Sequence, residues 1–176
     1  AIAQILGLNL SFIRTRQEHE RWDDKDRDTG LYSRQYLWDK ITEYSGTNTS
    51  FVLLLIALDG CNSMGWEQSH QQIQDCALLL ETHKPAQAIL GTIGYGEFGL
   101  LLGTKSLTAA TNWAEQLKQK IKKLPNSPEQ RSQSTPWTIS GGIVAWDSVY
   151  SDAVELWSKA ISCLEQAKSQ RDAIFY

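Results

Sequence analysis

Three cysteines in 176 residues, at positions 61, 76 and 163, are too few and too far apart for a zinc site or a disulfide framework. None falls in a CxxC pair, and the count is odd. Cys76 lies on an apolar helix face and reads as a reduced, buried thiol, which points to a reducing cytoplasm. No stretch reaches the roughly 18 to 20 consecutive apolar residues that a membrane-spanning helix needs. The apolar start, Ala1 to Ile13, is broken by Gln4, Asn9 and Ser11 and has no charged run before it, so it does not read as a secretory leader. Positive charge is not in excess: 17 Lys and Arg against 20 Asp and Glu give a net charge of -3, which argues against general nucleic-acid binding. His19, His70 and His83 show neither HxxxH nor HExxH spacing and read as surface or partly buried side chains. There is no GxxxxGK[ST] run, and Gly94-Tyr95-Gly96 is too short for a dinucleotide-binding loop. The first residue is not methionine, so the chain reads as a piece of something longer. A membrane segment or a sensor domain is the expectation for what precedes it, and membrane attachment would come only through such outside segments.

What is present suits one compact domain: 41% apolar and 21% charged residues over a length sufficient for a full core. Residues 1–22 read as a helix with Ile2, Ile5, Leu8 and Phe12 on one side. It either packs on its own domain or serves as a linker that relays a signal or self-associates. After the turn-rich Asp23 to Gly30, Leu37, Trp38, Ile41 and Tyr44 recur at helical spacing. Phe51 to Leu58 is a continuous apolar run and reads as a central buried strand. Ile73, Cys76, Ala77 and Leu80 mark a helix. Ala88 to Ile93 and Phe98 to Leu102 read as two strands joined at Gly94-Tyr95-Gly96. Trp113, Leu117, Ile121 and Leu124 mark another helix, ended by Pro125 before a polar loop to Pro136. Thr138 to Trp146 reads as a strand. Val154, Trp157, Ile161 and Leu164 mark a last helix, and Ala173 to Tyr176 a last strand.

This order predicts an α+β fold, a ferredoxin-like βαββαβ core with a mainly antiparallel sheet and helices on one face. Seven tryptophans are many for the length. Trp38, Trp113 and Trp157 lie on apolar stripes and are expected in the core. Trp66, Trp137 and Trp146 lie near element ends, and ordinary packing is favoured there over a role as exposed anchors for a partner.

Five landmarks then fall on these elements in order. Asp26-Arg27-Asp28-Thr29-Gly30-Leu31-Tyr32-Ser33-Arg34 resembles the DxLTGLxNR motif of GGDEF (diguanylate cyclase) domains. Phe51 to Asp59 resembles their first strand, which ends in an IDID-type run. Gly94-Tyr95-Gly96-Glu97-Phe98 resembles the GGDEF turn itself. Thr138-Ile139-Ser140-Gly141-Gly142 resembles the TxSxG strand, and Leu164-Glu165-Gln166-Ala167-Lys168 the LYxAK helix end. The resemblance covers Asp26 to Tyr176 and implies a palm-like domain over 23–176.

In such domains two carboxylates hold divalent metal ions on the phosphates of GTP. The resemblance places them at Ala57 and Gly96, where neither residue can ligate a metal. Tyr95 replaces the second glycine and would put a ring where phosphate or ribose should lie. The xFKxxND run that follows the strand appears with Cys61, Asn62 and Gly65 at its Phe, Lys and Asn positions. The inhibitory RxxD site falls on Pro85 and Ala88, without guanidinium or carboxylate. Asp59, Glu97 and Lys168 are retained, and Asp59 and Lys168 are the candidates for residual nucleotide contact. No catalytic residue and no metal ligand is expected. The reading is an inactive, cytoplasmic GGDEF-type domain that regulates or binds a protein partner or an adjoining domain in cyclic di-GMP-related signalling, with a homodimer through residues 1–22 as one form of contact. The alternatives are a weak or atypical cyclase using Asp59 and Glu97, the one case that needs magnesium, and a non-catalytic nucleotide receptor.

Overall fold

The computed structural model describes residues 24–176 except 48, 64, 104–105, 125–136 and 148. The helix expected over 1–22 and most of the loop after residue 124 lie outside the described residues. Helix α1 (Arg34–Gly46) starts at Ser33, whose hydroxyl accepts from the Tyr36 N–H and so satisfies one of the free amides of the first turn. Strand β1 (Val52–Leu58) is buried along its whole length. A 3₁₀ turn (Cys61–Ser63) leads to α2 (Trp66–His83). The hairpin β2 (Ile89–Gly94) and β3 (Glu97–Leu102) follows, then α3 (Leu107–Ile121), capped by Ser106. Strand β4 (Ile139–Ala145), α4 (Ala153–Gln170), capped by Asp152, and the short β5 (Ile174–Phe175) complete the domain.

The sheet order is β2-β3-β1-β4-β5, antiparallel except for the β4–β5 pair. This is the expected βαββαβ core with β1 at its centre. The helices are not confined to one face, however. On β1, Val52, Leu54, Ile56 and Leu58 pack with α2 and α3, whereas Leu53, Leu55 and Ala57 pack with α1 and α4. The expectation of one helical face holds for the two helices inside the βαββαβ unit. The flanking helices cover the other face, as the all-apolar sequence of β1 requires.

The sequence reading of α4 also needs correction. The buried face is Leu156, Ala160, Cys163, Leu164 and Ala167, while Val154 is 59% exposed and Trp157 and Ile161 are half-buried. The cause lies in β4. A Cβ on Gly142 would stand 2.5 Å from the Leu164 nitrogen and 2.6 Å from the Ala160 oxygen. Backbones this close leave room only for small side chains between them, so the large ones are displaced to the flanks. Trp38 and Trp157 accordingly meet edge-to-face at the rim, ring centres 5.7 Å apart, and Trp113 is likewise half-buried rather than in the core. Helix α3 ends at Ile121, one turn before Leu124. Cys76 is fully buried as expected. Desolvation pushes its thiol up to about 12, with Cys61 and Asp75 adding to the shift.

Gly142→Ala should therefore lower unfolding stability by about 3 kcal/mol, an overpacking cost against backbone that cannot yield. Gly46→Ala, at a helical glycine with nothing within 4 Å of the added methyl, should raise it by about 0.5–1 kcal/mol. Urea denaturation of both variants checks the contrast.

Candidate functional site

The β2–β3 hairpin turns on two residues, Tyr95 and Gly96, between the paired Gly94 and Glu97. Gly96 has φ +69°, a left-handed conformation that suits glycine. The Leu58 N–H donates to the Gly96 carbonyl at 2.8 Å and ties the turn to the end of β1. A Cβ on Gly96 would meet the Cys61 sulfur at 2.5 Å. The position where the family pattern expects a metal-binding carboxylate is thus closed by backbone conformation and by the side chain beneath it.

The other expected position, Ala57, sits between Glu97 on β3 and Ser140 on β4. Its two acidic neighbours have internal partners. Asp59 accepts from the Thr138 hydroxyl at 2.7 Å, the Ser140 hydroxyl at 2.8 Å and the Asp172 N–H at 3.0 Å. Glu97 pairs with the Lys168 ammonium at 3.0 Å, and Lys168 also reaches Glu165 at 2.8 Å. Hydrogen bonding to Glu165 and then to Glu97 raises the Lys168 pKa above its ordinary value, against the opposing effect of burial. The second Glu97 oxygen lies over Gly94, 3.0 Å from where a Cβ would stand. Lys168 therefore sits with Glu97 on the hairpin, while Asp59 faces β4 and the C-terminal turn.

Tyr95 bends away from these charges onto the first turn of α2. Its hydroxyl meets the Ser69 hydroxyl at 2.5 Å, and its ring stacks on Trp66 with centres 5.8 Å apart. Trp66 also stacks on His70 at 5.4 Å. Trp66 is 66% exposed and Tyr95 41%, so these rings form an open aromatic step rather than core. The step had a signal in the sequence: Trp66, Ser69 and His70 stand at i, i+3 and i+4 on one helix face. It borders a cleft of about 350 Å³ between the hairpin and residues 26–34. Asp26 spends one carboxylate oxygen on its own turn, accepting from the Thr29 N–H at 2.9 Å and hydroxyl at 2.7 Å. Asp28, Arg34, His70 and Thr92 line the rest.

Pro85 and Ala88 lie apart from this cleft in the α2–β2 connection, where the Ala88 N–H donates to the Pro85 carbonyl at 2.9 Å. The C-terminal contacts had no such signal. Lys118 donates to the Asp172 carbonyl at 2.6 Å, and Lys122 pairs with the Asp172 carboxylate. Fifty or more residues separate the partners.

These residues do not fit a divalent metal ion of the family type. A methyl group and a hydrogen stand at the two ligand positions, three donors occupy Asp59, and a cation already sits on Glu97. Among the described residues, no group of three His, Cys, Asp or Glu side chains is placed to hold a metal.

Asp59→Ala should cost about 2–3 kcal/mol by stranding its donors. Glu97→Gln should cost under about 1 kcal/mol, because the Lys168 pair is about one-third exposed. Gly96→Asp should cost about 1–3 kcal/mol. Part of that cost should vanish in a Cys61→Ala background, where only the φ strain remains, and a double-mutant cycle by urea denaturation reads the coupling.

Residues 24–173 match the family described as diguanylate cyclase, GGDEF domain. No curated protein matches the chain in sequence. The fold is similar to the coiled coil and GGDEF domain of DgcB from Caulobacter crescentus, a structure in complex with c-di-GMP: TM-score 0.80, 15% identity, 98% of this chain and 97% of that one. It is also similar to the diguanylate cyclase SiaD of Pseudomonas aeruginosa, in complex with its activator SiaC, at TM-score 0.78, 21% identity and coverage of 98% and 69%. The FimX GGDEF domain of Pseudomonas aeruginosa aligns at TM-score 0.72, 22% identity and coverage of 86% and 98%. With the hairpin, the strand order and the helix end all in the positions that the sequence motifs require, the chain belongs to the GGDEF domain family of diguanylate cyclases.

Proposed function

We propose that this GGDEF domain does not synthesise cyclic di-GMP and acts in the cytoplasm as a regulatory or protein-interaction module of cyclic di-GMP-related signalling. One observation carries the reading: the carboxylates left at the end of β1 and on the hairpin are engaged from within, Asp59 by three hydrogen-bond donors and Glu97 by the Lys168 ammonium. Metal-assisted phosphoryl transfer needs carboxylates free to hold ions against the phosphates. Here a metal approaching Glu97 meets the Lys168 ammonium, and a metal approaching Asp59 must displace its hydrogen-bond donors. An atypical cyclase using Asp59 and Glu97 would have to break both arrangements, and it alone would call for magnesium.

A partner protein or an adjoining domain of a longer chain is the expected point of action. The SiaD structure contains an activator protein, and a contact of that general kind is compatible with a domain that keeps the fold without the chemistry. Self-association through residues 1–22 is a further form it could take. No helix among the described residues is long and apolar enough to cross a membrane.

One feature favours a second reading, that of a nucleotide receptor without turnover. The cleft beside the hairpin holds Arg34, which makes no ion pair among the described residues, next to the aromatic step of Tyr95 and Trp66. Calorimetric titration with GTP and with cyclic di-GMP, each with and without magnesium, separates the readings. The expected result is no magnesium-dependent heat with GTP. Metal-independent GTP binding without product would move the assignment to the receptor. Magnesium-dependent GTP binding followed by formation of cyclic di-GMP would overturn the proposal.

A further inference from the structure

We propose that the α2–β2 connection and the first turns of α3 form a binding slot for a neutral, ring-bearing small molecule. A cavity of about 440 Å³ opens there, within the range of clefts that hold small organic ligands. Pro85, Ala86 and Ala88 form one wall, and Ala109 and Ala110 of α3 the other. Short side chains on both walls leave a gap that a flat ring can enter. The indole of Trp113 closes the end and is held in place, because its Nε1–H donates to the His83 carbonyl at 3.1 Å. A fixed aromatic wall suits ring stacking or edge contact.

Charge decides the ligand class. Among the described residues, no charged side chain lines the slot. Lys84, next to the Pro85 wall, is engaged elsewhere: it donates to the Ala88 carbonyl at 3.1 Å and lies 3.6 Å from the Glu81 carboxylate. Two lining side chains carry a hydrogen-bonding group: the Trp113 N–H is spent on His83, whereas the Gln87 amide has no partner among the described residues. A ligand with a ring and a single amide-compatible polar group matches this lining. A dianionic dinucleotide does not, since its phosphates would lose hydration with no cation to replace the water. The slot lies at Pro85 and Ala88, so the place of the family's charged inhibitory pair carries the opposite chemistry. The inference is independent of whether the hairpin cleft still takes a nucleotide.

The test is a ¹H–¹⁵N NMR titration of the full chain with indole as the neutral probe, and with benzoate and cyclic di-GMP as anionic counterparts. Indole should shift the Trp113 Nε1–H and the Ala88 and Ala110 amides in a saturable way, and the anions should leave them in place. Ala109→Phe, at an exposed position, should fill the slot and weaken indole binding by about tenfold or more. It should leave the rest of the spectrum and the thermal midpoint unchanged. Absence of saturable shifts at Trp113, equal shifts with benzoate or cyclic di-GMP, or undiminished binding in a folded Ala109→Phe variant would each overturn the proposal.

Discussion

The carboxylate of Asp59 is the point on which the end of the domain closes. It terminates the central strand and binds two hydroxyls from the start of β4 and one backbone amide from the C-terminal turn. That turn needs holding. Arg171 and Asp172 have φ of 57° and 49°, both in the left-handed region without being glycine. Such residues cost of the order of 1 kcal/mol or more each and persist only where their surroundings fix them. Asp59 takes the Asp172 amide, while Lys118 and Lys122 take its carbonyl and carboxylate. The turn reverses the chain after α4 so that β5 pairs in parallel beside β4. An acidic residue at the edge of the nucleotide site of a related cyclase pattern thus serves here as a structural anchor.

The same logic runs through the hairpin. Gly96 allows the left-handed turn and lets Cys61 fill the space under it. Ala57 puts a methyl group between Glu97 and Ser140. Lys168 supplies a positive charge to Glu97. The two carboxylates at this end of the sheet, Asp59 and Glu97, thus both have side-chain or backbone partners within the chain.

Much of this was legible in the sequence, for identifiable reasons. The apolar run of β1, the Gly-Tyr-Gly hairpin and the order of elements fix the sheet, since period and turn chemistry act locally. The matching of Ala57, Gly96, Pro85 and Ala88 to the family's functional positions rests on motif spacing alone. The second helical layer, the true buried face of α4 and the rim placement of Trp38, Trp113 and Trp157 were not legible. The buried face of α4 depends on how closely Gly142 lets α4 approach β4, a tertiary distance that leaves no periodic trace, whereas Trp113 lies across the sheet on α3, tied to the His83 carbonyl. The three partners of Asp59 come from positions 79 to 113 residues away, so only the folded chain brings them together.

Whether the hairpin end of β1 can accept a divalent ion is read most directly by titrating manganese into the ¹⁵N-labelled domain and following paramagnetic broadening. Engagement of both carboxylates by partners within the chain predicts no selective loss of the amide signals of Ala57, Asp59, Gly96 and Glu97 before general, non-specific broadening sets in. Saturable broadening confined to those amides at low manganese concentration would mean that the carboxylates release their partners for a metal, and would contradict it.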